Sequence, residues 1–242
     1  MRYAFYSDVH ANVEALKAVI LDFRVEKIDR IFFLGDAVGY GPNPNECVEL
    51  IDEISEIKLM GNHDSAALGL MNTEYFNQYA TESIDWTKES LAQKTIDIMS
   101  GFEITAQLDD CMMAHSSPKE PNKWHYILDM DDVKENFESF DKQICMVGHT
   151  HRPFIVSQNK DGDCIISHKH EERINKERRY LINIGSVGQP RDGDPRSCYL
   201  IYDDEVQLIK TKRVAYDLDN TQKRMAEHGL PDYLIERLAV GR

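Results

Sequence analysis

The 242-residue sequence predicts an α/β protein whose sheet begins with parallel strands. Short apolar runs rich in β-forming residues cover residues 2–7, 30–34 and 57–60, and helical patterns separate them. Strands that alternate with helices form βαβ units, which place the strands in a parallel sheet. Ligands of such sheets gather beyond the carboxyl ends of the strands. The residues that follow each apolar run are therefore the first candidates for a functional site.

The first half of the chain supplies the connecting helices. Apolar residues recur at helical spacing over residues 12–23, and Asn12 is the predicted N-cap. A loop rich in Gly, Pro and Asn over 39–45 leads into a second predicted helix over 46–54. A longer amphipathic helical segment covers about 72–102. We interpret it as a helical insertion that caps the site or meets a partner, with ordinary helices packed on the sheet as the alternative.

From residue 103 onward the sequence predicts mainly antiparallel strands separated by turn residues. These strands cover residues 103–108, 111–114, 144–147, 154–158, 164–167, 180–184 and 198–208. The acidic stretch 129–132 is interpreted as a helix start, and a helical tail over 217–238 closes the chain. The sequence contains no repeat or convincing linker, so we predict a single domain over residues 1–242.

Composition narrows the class of protein. Lys and Arg number 28 against 42 Asp and Glu, which gives a net charge of −14. A phosphate-backbone binder needs a basic face, so long nucleic acid is not an expected partner. A small phosphorylated or nucleotide substrate stays compatible, because bound metal ions would supply positive charge. The sequence shows no signal peptide or membrane span, and its five scattered cysteines fit a reducing compartment, so a cytoplasmic location is expected.

Reactive side chains follow the predicted strands directly. The motifs are Asp8-Val9-His10, Gly35-Asp36, Gly61-Asn62-His63-Asp64, His115 and Gly148-His149-Thr150-His151. In extended chain, residues two apart share a face, so the paired residues of the first and last motifs can reach one ion. Asp36 is placed to bridge two ions, because a carboxylate has two oxygens to share. Histidine, carboxylate and amide oxygen together suit divalent Mn, Fe, Zn, Ni or Co, and metal-assisted hydrolysis is the first function to test.

The order of these motifs resembles the calcineurin-like metallophosphoesterase superfamily over residues 1 to about 190. Residues 39–42 and 183–191 further resemble the YfcE-like branch of diadenosine-tetraphosphatase-related phosphodiesterases. The resemblance implies a four-layer α-β-β-α sandwich. It also implies hydrolysis of phosphodiester or phosphomonoester bonds by in-line attack of a metal-bridging hydroxide.

Matched position by position, the resemblance implies two divalent metal ions. One ion would be held by Asp8, His10, Asp36 and His151. The other would be held by Asp36, Asn62, His115 and His149, so that Asp36 bridges the two. His63 matches the histidine beside the leaving group, which donates a proton or a hydrogen bond to the departing oxygen.

Four further residues are weaker site candidates. Asp64 is expected to orient His63. Arg191 is expected to clamp a phosphate oxygen with its planar guanidinium, with a surface salt bridge as the alternative. Asn12 and Tyr40 are candidates for substrate binding, with helix capping and helix initiation as their alternatives.

Other function classes remain open at this point. A protein phosphatase of the same superfamily cannot be separated from a monoesterase or diesterase by this sequence. A non-catalytic scaffold, like the retromer subunit that resembles these enzymes, is disfavoured because every ligand position and His63 are filled. A nuclease is disfavoured by the acidic balance. A homo-oligomer is an open alternative. The remaining histidines are interpreted as structural: His125, His168, His170 and His228.

Overall fold

Two mixed β-sheets with helices on their outer faces build the protein in a computed structural model, which describes residues 1–167 and 169–242. His168 lies outside the described residues. In spatial order, the first sheet contains β3 (Ile57–Lys58), β2 (Arg30–Phe33), β1 (Arg2–Tyr6), β11 (Ser197–Asp203), β12 (Leu208–Val214) and β9 (Glu171–Arg173). Strands β1, β2 and β3 pair in parallel, as the alternating helices predict, and the other pairs are antiparallel.

The second sheet lies against the first. In spatial order it contains β4 (Thr105–Leu108), β5 (Cys111–Ala114), β6 (Ile144–Val147), β10 (Arg179–Asn183), β7 (Phe154–Gln158) and β8 (Cys164–Ser167). Strands β5, β6 and β10 run parallel to one another, whereas β4, β7 and β8 pair antiparallel. In each sheet, three adjacent strands therefore have their carboxyl ends at the same edge.

The helices pack on the outer faces of the two sheets and on one another. They are α1 (Val13–Val25), α2 (Pro44–Ile54), α3 (Asn62–Ala67), α4 (Gln78–Ser90), α5 (Gln93–Met99), α6 (Met130–Phe137), α7 (Leu218–Glu227) and α8 (Asp232–Leu238). Across residues 1–167 and 169–242, every helix is too short or too polar to traverse a lipid bilayer.

Strand β1 shows how the sequence makes the layers. Tyr3 and Phe5 belong to the buried cluster between the sheets, and Ala4 and Tyr6 belong to the cluster under α1 and α2. Successive side chains of a strand point to opposite faces, so a strand buried on both faces is apolar throughout. A third buried cluster joins the outer face of the second sheet to α6. The four-layer α-β-β-α sandwich implied by the sequence is confirmed.

Three parts of the secondary structure differ from the sequence-based prediction. Residues 198–208 were expected as one strand, but β11 ends at Asp203 and a turn leads into β12. Strand β9 was not predicted, because its Glu-Glu-Arg sequence carries no apolar signal and the strand is defined by pairing with β12. Within residues 72–102, helix begins only at Gln78, since Asn77 caps α4 through its side chain.

Candidate metal centre

The polar motifs meet where the parallel strands of both sheets end. Backbone hydrogen bonds tie the motifs together: the Asp8 amide donates to Gly35 O at 2.9 Å, and the Gly148 amide donates to His115 O at 2.8 Å. The Gly188 amide donates to Asp8 O at 2.9 Å, which links the segment after β10 to the segment after β1. All seven predicted metal ligands lie in this cluster, and each is at most 6% exposed.

Four of these residues form a first group of ligand atoms. One atom from each of Asp8, His10, Asp36 and His151 lies within 4.8 Å of the others. His10 Nε2 is 3.1 Å from His151 Nε2, and His151 Nε2 is 3.2 Å from Asp8 Oδ1. Asp36 Oδ2 is 3.7 Å from His10 Nε2.

A second group shares Asp36 with the first. One atom from each of Asp36, His115 and His149 lies within 4.8 Å of the others. His115 Nε2 is 3.3 Å from Asp36 Oδ2 and 3.3 Å from Asn62 Oδ1. Asp36 Oδ2 therefore faces histidines of both groups, while Asp36 Oδ1 accepts a hydrogen bond from the His63 amide at 2.8 Å.

Hydrogen bonds fix which ring nitrogens can bind a cation. Nδ1 of His10, His115 and His151 lies 3.0, 2.7 and 2.6 Å from the backbone oxygens of Val38, Leu34 and Gln189, respectively. A carbonyl oxygen only accepts, so each Nδ1 carries the hydrogen and a neutral ring presents a lone pair at Nε2. Two such lone pairs face each other at 3.1 Å between His10 and His151. These lone pairs repel each other, and a cation bound between them would accept both.

Two orphaned polar atoms also fit a metal centre. Among the described residues, buried Asp8 Oδ1 and His149 Nε2 have no hydrogen-bond partner. A buried polar atom without a partner costs free energy, which a bound ion would recover. The donor set, made of imidazole nitrogens, carboxylates and one amide oxygen, therefore fits divalent transition metals.

Burial and neighbouring charges shift the protonation of the cluster. Burial lowers the pKa of His10, His151 and His149, the last to about 3, so these rings are neutral lone-pair donors. Burial opposes ionisation of Asp36, but the neighbouring histidines outweigh it and lower the pKa of that carboxyl. Burial also disfavours charged His115, yet Asp36 raises the pKa of His115 to about 9. Metal binding at His115 therefore has to displace a proton.

The backbone at the ligands is strained. Asp8, His10, Asp36, His149 and His151 have φ values of 53°, 47°, 59°, 66° and 57°. Residues other than glycine rarely adopt this left-handed region, which costs on the order of 1–3 kcal/mol each. The extended chain expected at Asp8-Val9-His10 is therefore wrong, whereas the tight turn expected around His149 and His151 is present. Their side chains converge because the chain turns tightly at each ligand.

The structure gives Asp64 different partners from those expected. Its carboxylate is fully buried and accepts four backbone amides, at distances of 2.8–3.2 Å. The donors are the amides of Asp36, Ala37, Val38 and Gly61. Within the described part of the chain, no hydrogen bond joins Asp64 to the imidazole of His63. Asp64 holds the loop that carries Asp36, so the expected orientation of His63 by this carboxylate is wrong.

His63 lies beside both ligand groups and is held by rings. Its ring centroid is 4.5 Å from Tyr40, 4.8 Å from Phe76 and 4.8 Å from His10. Its buried Nδ1 has no hydrogen-bond partner among residues 1–167 and 169–242. Burial lowers the pKa of His63 to about 4. A Cβ at Gly39, whose φ is +83°, would lie 2.4 Å from His63 Nδ1, so glycine leaves room for the imidazole.

Arg191 and Tyr40 border the cluster. Arg191 donates two hydrogen bonds to Gln189 Oε1, at 3.2 and 2.8 Å. Its guanidinium carbon lies 5.7 Å from the centre of the Tyr40 ring, and that ring lies 4.7 Å from His10. Where the chain is described, Arg191 forms no salt bridge with Asp or Glu, so its guanidinium retains donors for a ligand.

Asn12 uses its side-chain amide for hydrogen bonds within the protein. Its Oδ1 accepts from the Ala15 amide at 3.1 Å and from Thr221 Oγ1 at 3.1 Å. Its Nδ2 donates to Gly188 O at 3.0 Å. These contacts cap α1 and tie it to α7. Helix capping, the alternative for Asn12, is therefore confirmed, and its part in substrate binding stays a prediction.

Two aromatic residues at the site were not predicted from the sequence. Tyr126 stacks on His149 with ring centroids 4.0 Å apart and is 48% exposed. Phe76, just before α4, packs on His63 and so brings part of residues 72–102 to the edge of the cluster. Both lie in irregular segments, where no periodicity marks a facing side chain. An aromatic residue in the loop after His115 was the one available signal for Tyr126.

The motifs, fold and cluster match a known family. A family model of the calcineurin-like phosphoesterase superfamily domain matches residues 1–205. The chain belongs to this superfamily. It is 38% identical over 243 residues to "Uncharacterized protein MJ0912" of Methanocaldococcus jannaschii, covering 99% of this chain and 98% of that protein. The superfamily predicted from the motifs is confirmed, and this chain is a metal-dependent phosphoric ester hydrolase by family.

Solved structures agree over the whole chain. A metallophosphoesterase from Sphaerobacter thermophilus superposes with a TM-score of 0.87 at 38% identity, covering 100% of this chain and 99% of that one. Hypothetical protein PH1004 from Pyrococcus horikoshii OT3 superposes with a TM-score of 0.80 at 18% identity, covering 100% and 98%. At that identity, the second comparison supports the fold alone.

Proposed function

We propose that this protein is a dinuclear-metal phosphoesterase that hydrolyses phosphodiester or phosphomonoester bonds of a small or nucleotide-type substrate. The observation that carries the proposal is the pair of ligand groups that share Asp36. The similarity of the whole chain to the metallophosphoesterase of Sphaerobacter thermophilus supports the reaction class.

In this proposal the two groups hold one ion each. Asp8, His10, Asp36 and His151 hold the first, and Asp36, Asn62, His115 and His149 hold the second. Two bound cations neutralise an anionic phosphate ester and lower the pKa of the attacking water. Manganese, iron, zinc, nickel and cobalt all suit these nitrogen and oxygen donors.

The protein side chains position the ester and its leaving group. Hydrolysis forms one P–O bond to water and breaks the bond to the departing oxygen, which takes up a proton. His63 is assigned to that oxygen, because its imidazole packs on His10 of the first group and its backbone amide donates to Asp36, which both groups share. Arg191 is assigned to a non-bridging phosphate oxygen, and Tyr40 supports both side chains by ring contact.

Metal analysis and one substitution test this assignment. The purified protein should take up close to two transition-metal ions per chain. His63→Ala should lower turnover of bis-p-nitrophenyl phosphate by about 10²–10⁴-fold, the usual contribution of a positioned proton donor, with metal content nearly intact. His228→Ala, at an exposed histidine of the α7 C-cap, is the matched control and should behave like the parent protein.

Two results would contradict the proposal. One is a protein that takes up no metal when Mn²⁺, Ni²⁺ or Zn²⁺ is supplied. The other is failure to cleave both bis-p-nitrophenyl phosphate and p-nitrophenyl phosphate with each of those metals added, which would favour a non-catalytic scaffold.

A further inference from the structure

A cavity lined by arginines adjoins the candidate metal centre. It has a volume of about 530 Å³, and Arg152, Arg191, Arg237 and Arg242 line it together with Asp192. The chain as a whole carries a net charge of −14. Four guanidinium groups around one cavity therefore make a positively charged region in a protein that is negatively charged overall.

Main-chain oxygens, and not acidic side chains, are the hydrogen-bond acceptors of two of these arginines. Arg152 Nε donates to Arg191 O at 2.9 Å, and Arg237 Nε donates to Arg242 O. Where the chain is described, Arg152, Arg191 and Arg237 form no salt bridge with an Asp or Glu side chain. The acidic group at the cavity, Asp192, is already paired with Arg213. Other arginines do form such pairs, as Arg30 does with Glu56 and Arg224 with Glu14.

Contacts hold the like charges close together despite their repulsion. Burial and the charge of Arg191 lower the pKa of Arg237. The Arg237 guanidinium lies 5.2 Å from the Tyr233 ring centre, and the Gly193 amide donates to Gly241 O at 3.0 Å. That backbone bond fixes the segment after α8 against the loop that follows Arg191. Unpaired cations gathered at a cost in this way are typical of an anion site.

The cavity begins at a candidate ligand. Arg152 follows His151 directly, and the Arg191 amide donates to His151 O at 3.2 Å. Arg191 thus belongs to the border of the metal cluster and to the wall of the cavity. A substrate that is held at the cluster by one phosphate has the arginine cavity beside it.

We propose that this cavity binds a second phosphate group of the substrate, so that the preferred substrates carry at least two phosphates. The inference rests on the proposed function, in which the scissile phosphate lies at the metal centre. Guanidinium groups pair with phosphate oxygens through two parallel hydrogen bonds, and ligand pockets usually measure roughly 300–1,000 Å³. Arg237 and Arg242 lie beyond residue 205, outside the part of the chain that the superfamily model matches.

Equilibrium dialysis of the full-length, metal-containing protein against labelled inorganic tripolyphosphate and orthophosphate tests this proposal directly. Arg152→Gln and Arg237→Gln should each weaken tripolyphosphate binding about tenfold or more, the effect of losing one hydrogen bond to a charged group. Orthophosphate, which reaches only one site at a time, should be affected less. Arg24→Gln, at an exposed arginine of α1, is the matched control and should bind as the parent protein does.

Arg152 is exposed, so we expect its substitution to leave folding intact. Arg237 is more buried, and Arg237→Lys keeps the positive charge there. This variant should bind tripolyphosphate with an affinity between those of the parent protein and Arg237→Gln. Diadenosine tetraphosphate carries a linear phosphate chain, and fructose 1,6-bisphosphate carries phosphates on separate carbons. Comparing how strongly each competes with tripolyphosphate shows which arrangement the cavity prefers. Arg237→Gln should weaken the binding of both competitors. Unchanged tripolyphosphate binding in both Gln variants would overturn the proposal even if the protein hydrolyses phosphate esters. Arginine-dependent binding without ester hydrolysis would contradict the proposed function and still support the anion cavity.

Discussion

Replacing Asp64 by Asn tests whether one buried carboxylate holds the loop that carries Asp36. The two oxygens of Asp64 accept four backbone amides at 2.8–3.2 Å. In asparagine one of these oxygens becomes an amino group, which can only donate. The amino group would face two amide N–H groups, and neither hydrogen bond could form. We therefore expect Asp64→Asn to loosen the loop although the side chain keeps its shape.

The structure sets the size of this effect. A hydrogen bond to a charged group is worth about 1.5–3 kcal/mol, so losing two costs about 3–6 kcal/mol. Asparagine no longer buries a charge, which brings the expected loss of unfolding free energy to the lower end, about 3 kcal/mol. In a protein of this size 1 kcal/mol shifts the Tm by about 2–4 °C, so the Tm should fall by about 6–12 °C. Turnover should fall as well, because Asp36 lies in the loosened loop.

Urea and thermal unfolding at pH 8 measure this loss. Burial and the charge of Asp36 raise the pKa of Asp64 to about 7, so the carboxylate is mainly ionised at that pH. Asp132→Asn is the matched control, because Asp132 also accepts two backbone amides, from Leu128 and Asp129, but at an exposed helix start. Water can replace those bonds, so the control should lose less than about 1 kcal/mol. Equal, small losses in both variants would refute the role given to Asp64.

Four further substitutions test the cluster and its surroundings. His149→Ala and His151→Ala should each reduce bound metal from about two ions per chain toward one, measured by mass spectrometry of the metals; unchanged content in both would count against these ligands. Asn12→Ala should cost about 1 kcal/mol through the lost N-cap, with the KM for p-nitrophenyl phosphate nearly constant, whereas a large rise in KM would support a substrate role. Gly61→Ala should abolish metal binding, because the added Cβ would lie 2.0 Å from Oδ1 of Asp36, which both ligand groups share. Gly101→Ala is the control, because a Cβ there has its nearest contact at 3.4 Å.

The sequence predicts which residues meet, because periodicity locates strand ends and parallel strands bring their ends together. Asp8, Asp36 and His115 each follow an apolar run of four or more residues, and each lies at the cluster. The sequence does not predict the path of the chain through the cluster. An Asp-x-His spacing fits an extended chain, yet Asp8 and His10 both adopt positive φ, which depends on tertiary hydrogen bonds.

Contacts between distant segments are the other part that the sequence leaves out. Arg237 and Arg152 line one cavity although 85 positions, the difference of their numbers, separate them in the chain. Strand β9 exists through backbone pairing with β12, and its three charged side chains carry no signal of burial. Asp64 was expected to orient its sequence neighbour His63, but its hydrogen-bond partners are backbone amides that the fold brings around its carboxylate. In each case tertiary contacts decide what local pattern cannot.

The two carboxylates of the cluster are oriented by the same device. Asp8 Oδ2 accepts the His149 amide at 3.1 Å, and Asp36 Oδ1 accepts the His63 amide at 2.8 Å. Each carboxylate therefore has one oxygen tied to the backbone and the other turned toward histidine nitrogens. The sequence suggests that Asp36 bridges by sharing two oxygens, but Oδ2 alone faces both His10 and His115, at 3.7 and 3.3 Å. In the proposed dinuclear centre, Oδ2 would therefore be the Asp36 oxygen that both ligand groups share, because the His63 amide holds Oδ1.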